Sequence, residues 1–166
     1  YDNLSNNAGY SYSPQIILDS SNRPNVVWYD DTIGNFEIYF SKWSGTAWVK
    51  ADGTAGYENL SNNAGISYYP KIQLDSSGGL NIVWEDNTPG TYEIYFTKWN
   101  GVNWTRADGT TLGYENLSNN AQNSTESNIQ LDSSGRPNVV WRDFTSLNWE
   151  VYFTKWNGTN WTAADG

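Results

Sequence analysis

The chain contains no cysteine, no histidine and no methionine. Without cysteine there is no disulfide and no thiol chemistry, and the compartment is left open. Without histidine or cysteine there is no Ser–His or Cys–His nucleophile and no ordinary zinc site. The absence of even an initiator methionine predicts a processed or excised segment. Basic residues are few: 9 Lys and Arg stand against 18 Asp and Glu, for a net charge of −9. Such a surface repels phosphate backbones and anionic lipid, so nucleic acid and membrane are poor partners. No run approaches the ~20 apolar residues of a membrane span, and no signal peptide is present. Phosphate-cradling loops and dinucleotide fingerprints are also missing. Sugars, cations, basic proteins and the chain itself remain as partners.

What is present is aromatic and repetitive. Ten Trp and twelve Tyr occur among 166 residues, in a background of Asn, Ser, Thr and Gly. That mixture favours short strands joined by polar turns. The segment YDNLSNNAG at Tyr1 returns as YENLSNNAG at Tyr57 and YENLSNNAQ at Tyr114, in steps of 56 and 57 residues. The same register aligns Trp28, Trp84 and Trp141, and also Trp43, Trp99 and Trp156. A period above fifty with several strands per copy points to propeller blades. The chain divides into repeats 1–56, 57–113 and 114–166 of a single segment.

Each copy reads as four strands. In the first copy they are A at Gln15–Leu18, B at Asn25–Trp28, C at Phe36–Lys42 and D beginning near Trp48. Strands B and C carry apolar residues on both faces, so the sheet must be covered on both sides. Blades sandwiched between neighbours meet that demand; a two-sheet sandwich, ranked second, would leave one face of each sheet wet. Strand D is interrupted by Lys50-Ala51-Asp52-Gly53 and resumes at Tyr57-Glu58-Asn59-Leu60-Ser61. The expected fold is therefore all-β: a β-propeller of three four-stranded antiparallel blades per chain. Rings need about four to eight blades, so the ring is expected to be completed by oligomerisation. A homodimer giving six blades is favoured over a homotrimer giving nine. Tyr1-Asp2-Asn3-Leu4-Ser5 of one chain would complete the last blade of another by strand exchange. An excised or engineered portion of a longer repeat array fits the same pattern.

Two motifs carry a family resemblance. Leu18-Asp19-Ser20-Ser21-Asn22 leading into Val26-Val27-Trp28, repeated at Leu74-Asp75 and Leu131-Asp132, resembles the first hairpin of NHL-type blades. Ser41-Lys42-Trp43-Ser44-Gly45-Thr46-Ala47-Trp48 has the spacing of the sialidase-type Asp box, with Trp43, Trp99 and Trp156 in place of its Asp. The Trp-Asn-Gly-x-x-Trp form is similar to repeats of extracellular bacterial propellers and propeller lectins. The resemblance implies a secreted or surface location and, as one reading, carbohydrate binding. A sialidase arginine cluster is not matched, because Arg23 and Arg136 fall in A–B turns while Arg106 and Arg142 occur once each. The Arg and Glu of fucose-binding propellers also lack counterparts at the matching spacing.

The candidate chemistry is carboxylic. Asp30 with Glu37, Asp86 with Glu93 and Asp143 with Glu150 flank the B–C turn of every copy. A glycosidase needs such a pair, but a threefold pair argues for turn capping or repeated ligand binding, so no catalytic residue is expected. Asp30 is placed to accept bonds from the Asp31–Gly34 turn. Calcium at Asp30-Asp31 or at Ala-Asp-Gly is a lesser reading, since the spacing is not that of a calcium loop. Tyr12 and Tyr68 are candidates for stacking on a sugar. Tyr29, Glu85 and Arg142 occupy one exposed rim position that differs in each copy, read as neutral drift or as an adapted surface in which Tyr29 is a candidate ligand contact. The recurrent Trp residues are expected to fill space between blades.

Overall fold

Residues 1–166 are described by a computed structural model. The fold is all-β, with no helix to cross a membrane. The first blade runs β1 (Ser11–Leu18), β2 (Pro24–Asp30), β3 (Glu37–Trp43) and β4 (Trp48–Val49), and β5 (Glu58–Asn59) pairs with the same edge of β3 as β4. The second blade repeats this as β6 (Ser67–Leu74), β7 (Leu80–Asp86), β8 (Glu93–Trp99), β9 (Trp104–Thr105) and β10 (Glu115–Asn116). The third has β11 (Ser124–Leu131), β12 (Pro137–Asp143), β13 (Glu150–Trp156) and β14 (Trp161–Thr162). All pairings are antiparallel. The interrupted fourth strand expected from the sequence is present in the first two blades. Lys42 and Trp43 pair with Val49 and Trp48, then Tyr39 and Phe40 pair with Asn59 and Glu58.

Local chemistry sets the turns. The Asp19 carboxylate accepts the N–H groups of Ser21 and Arg23, each at 2.8 Å. Asp75 and Asp132 do the same for their own turns. The strand A expectation is too short. β1, β6 and β11 begin four residues earlier than Gln15 and its equivalents, at Ser11, Ser67 and Ser124. Each is broken by a bulge with a non-glycine residue at positive φ: Ser13 at 47°, Tyr69 at 50° and Glu126 at 56°. A bulge adds twist and re-aims the side chains beside it, and it lets the short first stretch reach the end of the second strand.

The core lies between blades. Val27, Tyr29, Ile38 and Phe40 of the first blade pack with Ile72, Leu80, Ile82 and Trp84 of the second. Val83, Ile94 and Phe96 of the second pack with Ile129, Val139 and Trp141 of the third. Alternate residues of one strand thus serve two different interfaces, which is why strands B and C are apolar throughout. Two faces have no such neighbour. Val151 is 78% exposed, whereas its equivalents Ile38 and Ile94 are at 0%. On the leading face Ile16 is 66% exposed, against 7% for Ile72 and 1% for Ile129.

An Ile129→Ala change should lower stability by about 2–5 kcal/mol, the usual cost of truncating a fully buried aliphatic side chain. Ile16→Ala in the single chain should cost well under 1 kcal/mol. Urea denaturation of the two variants checks the contrast.

Candidate functional site at the blade junctions

The carboxylates singled out from the sequence lie at the junctions, on the rim shared by the B–C turns and the segments entering each blade. Asp30 ends β2. Its carboxylate accepts Asn7 Nδ2 at 2.9 Å, Ser11 Oγ at 2.5 Å and the Thr32 N–H at 2.9 Å. Asp86 receives Asn63, Ser67 and Thr88, and Asp143 receives Asn120, Ser124 and Thr145, in the same way. Burial pushes the Asp30 carboxyl up, and the bonds from Ser11, Thr32 and Asn7 outweigh it, so the group lies below the usual range. Asp143 behaves alike, with Thr145, Ser124 and Trp141 as donors. All three aspartates are buried, and the bonds they accept hold the entry segment of each blade to the end of its second strand.

Glu37 and Glu93 do a different task. Glu37 accepts the Ser61 hydroxyl, the Asn63 N–H at 3.1 Å and Asn35 Nδ2 at 2.8 Å. Glu93 accepts Ser118 Oγ at 2.5 Å, the Asn120 N–H at 3.2 Å and Thr91 Oγ1 at 3.1 Å. Burial raises the Glu37 carboxyl above its ordinary range despite these bonds. Asn63 therefore bridges two blades, its N–H to Glu37 and its amide to Asp86; Asn120 bridges Glu93 and Asp143. Glu150 stands at the equivalent place in the third blade, exposed, with only Asn148 donating to it.

The tryptophans form a parallel series. Trp28 stacks on Tyr39 at 6.1 Å and meets the edge of Tyr57 at 5.8 Å. Trp84, Tyr95 and Tyr114 repeat the trio. Trp141 stacks on Tyr152 at 6.0 Å. Tyr1, which matches Tyr57 and Tyr114 in sequence, is fully exposed. Asp2 nevertheless lies beside the first blade, accepting Trp48 Nε1 at 3.0 Å. No three acidic side chains gather where a cation would be held. Asp31 instead accepts the Tyr10 N–H, and Asp52 accepts Thr54.

The copy-specific position is not an exposed rim site in the first two copies. Tyr29 and Glu85 are buried, because the bulged strand of the following blade folds over them. Tyr29 packs with Phe36, Tyr68 and Tyr69 at centroid distances of 5.4, 5.0 and 5.7 Å, which plugs the first junction. Tyr12 joins the same cluster through Tyr29 and Phe36. At the second junction Glu85 leaves an open cavity of about 490 Å³ lined by Tyr69, Lys71, Glu85, Thr125, Ser127 and Asn128, with Glu126 at its edge. Arg142, in the third copy, pairs with Glu126 and lies over the Trp149 ring at 4.3 Å. No sequence motif marked this cavity; the variation at position 85 was its one signal.

No family model matches the sequence, and no curated protein matches it either. Among solved structures, an endo-arabinase from Bacteroides thetaiotaomicron superposes with a TM-score of 0.55 at 14% identity, over 93% of this chain and 59% of that one. A fucose lectin from Kordia zhangzhouensis in complex with methyl-fucoside superposes with a TM-score of 0.50 at 18% identity, over 90% and 96% of the two chains. Both are propellers, and at these identities the likeness is one of fold. This chain is a β-propeller segment.

Burial pushes the Glu85 carboxyl up to about 7, with Glu126 adding repulsion, and the Glu126 N–H and Lys71 opposing. The folded state then holds a proton that the unfolded chain releases near 4.5, so the contribution of this group to stability is fully present below that pH and is lost as pH rises through about 7. Glu85→Gln should flatten this part of the profile. Thermal melts of both proteins between those pH values check it.

Proposed function

We propose that the chain is a non-catalytic binding scaffold that assembles head to tail with further copies of itself into a closed propeller ring. The observation that carries the proposal is the exposed apolar face of the third blade. At the two internal junctions, a Tyr-Glu-Asn-Leu-Ser-Asn-Asn segment docks its Tyr on the Trp–Tyr pair and its Ser and last Asn on the Glu. On the third blade Trp141, Tyr152 and Glu150 stand ready, and Val140, Val151 and Phe153 lie exposed beside them. The matching segment, Tyr1-Asp2-Asn3-Leu4-Ser5-Asn6-Asn7, borders a leading face where Tyr12, Ile16 and Leu18 are exposed. Bringing the two faces together covers apolar side chains worth about 1.5–3 kcal/mol each on full burial. The resulting interface is heterologous and closes only if the rotation per blade allows it. Six blades from two chains suit the commonest ring sizes.

The assembled ring is read as a carbohydrate-binding surface, secreted or attached to a cell. Support comes from the two fold relatives, one a fucose lectin and one an endo-arabinase, and from the blade motifs shared in outline with extracellular propellers. The threefold repetition of Asp30 with Glu37 and its counterparts weighs against a unique catalytic centre, and protein donors occupy the carboxylates of the first two pairs.

Native mass spectrometry should give two chain masses, or three if the ring has nine blades. Val151→Asp, which places a charge in the closing face, should return the protein to one chain mass while leaving the strand content unchanged. A wild-type protein of one chain mass at micromolar concentration would sink the assembly. Absence of binding to every sugar on a glycan array would remove the carbohydrate part.

A further inference from the structure

We infer that the cavity at the junction of the second and third blades is a binding site for a neutral polyhydroxylated molecule of monosaccharide size. Its volume of about 490 Å³ lies in the ~300–1,000 Å³ range of small-molecule sites. Its walls carry unspent hydrogen-bonding groups of both kinds. Ser127 is 3% exposed and its hydroxyl has no partner in the protein. A buried hydroxyl without a partner costs stability, and a ligand hydroxyl in the cavity would satisfy it. Lys71 Nζ and Asn128 Nδ2 make no bond within the chain, although Asn128 Oδ1 accepts the Ile129 N–H at 2.8 Å. Glu85 uses Oε1 to accept the Glu126 N–H at 2.7 Å, which fixes its carboxyl in the cavity wall. Tyr69, half exposed and turned outward by its positive φ, supplies an aromatic wall.

The charge balance selects the ligand class. Lys71 opposes a cation, and the Glu126 carboxylate, already paired with Arg142, opposes an anion. A molecule whose hydroxyls both donate and accept can pair with Ser127, Lys71, Asn128 and Glu85 together, with a C–H face against Tyr69. The first junction supplies the contrast. There Tyr29 takes the place of Glu85 and fills the space with its ring, so one side chain separates a plugged junction from an open one.

This inference rests on the carbohydrate part of the proposed function and not on ring closure, since both walls belong to one chain. The test titrates the full chain with free glucose, galactose, mannose and xylose while following backbone amides by two-dimensional NMR. At least one sugar should shift the Glu126 and Ser127 amides. Glu85→Tyr, which copies the first junction, should keep the fold and weaken that binding by about tenfold or more. Ser127→Ala should raise the melting temperature and weaken binding together, a pairing that a purely structural serine would not show. No amide shift for any of the four sugars, or equal binding by Glu85→Tyr, overturns the site. Array binding that survives in Glu85→Tyr leaves the carbohydrate reading standing and places it elsewhere on the ring.

Discussion

Asn63 and Asn120 each join two carboxylates on neighbouring blades, and the rest of the architecture is arranged around those bridges. Through its N–H the asparagine reports that the outer strand of one blade has reached its glutamate. Through its amide it fixes the entry of the next blade to an aspartate. Both carboxylates are buried, where an unpartnered charge would cost several kcal/mol, so neither blade is satisfied until the segment between them is in place. Packing follows from this. Once the segment docks, Ile38 and Phe40 meet Ile72 and Ile82, and Ile94 and Phe96 meet Ile129 and Val139. Apolar burial supplies most of the driving force, while the carboxylate bridges set the register in which it is gained.

Much of this was legible in the sequence because it depends on short-range rules repeated three times. The Asp-Ser-Ser turns, the Ser-Gly and Asn-Gly hairpins and the doubled apolar pattern of strands B and C each had a local cause. Alignment of Trp28, Trp84 and Trp141 gave the repeat its register. The interruption after Trp48 and the return at Tyr57 were likewise visible as a loop followed by a resumed strand. What stayed hidden depends on contacts 24 to 41 residues apart, such as Ser61 with Glu37 and Glu126 with Glu85. Nothing in the local composition announces them.

The bulge shows the same limit most clearly. Ser13, Tyr69 and Glu126 adopt positive φ without being glycine or asparagine, so the usual marker of that conformation was missing. The sequence therefore read strand A as starting late and left position 29, with Glu85 and Arg142, on an open rim. With the bulge in place the strand covers that position of the preceding blade. An apparently drifting surface residue becomes the one that sets the character of the two junctions, aromatic at Tyr29 and hollow at Glu85.

Asp2 deserves comparison with its counterparts. Glu58 reaches Ala51 N–H at 2.7 Å and Glu115 reaches Ala107 N–H at 2.8 Å, clasping the loop that interrupts each outer strand. The N-terminal copy has aspartate there, one methylene shorter, with its carboxylate on Trp48 instead. A junction formed through Tyr1–Asn7 thus lacks a clasp that both internal junctions possess. In the proposed ring that junction would be a mechanical seam, where heat, dilution or strain would part the assembly into three-bladed units.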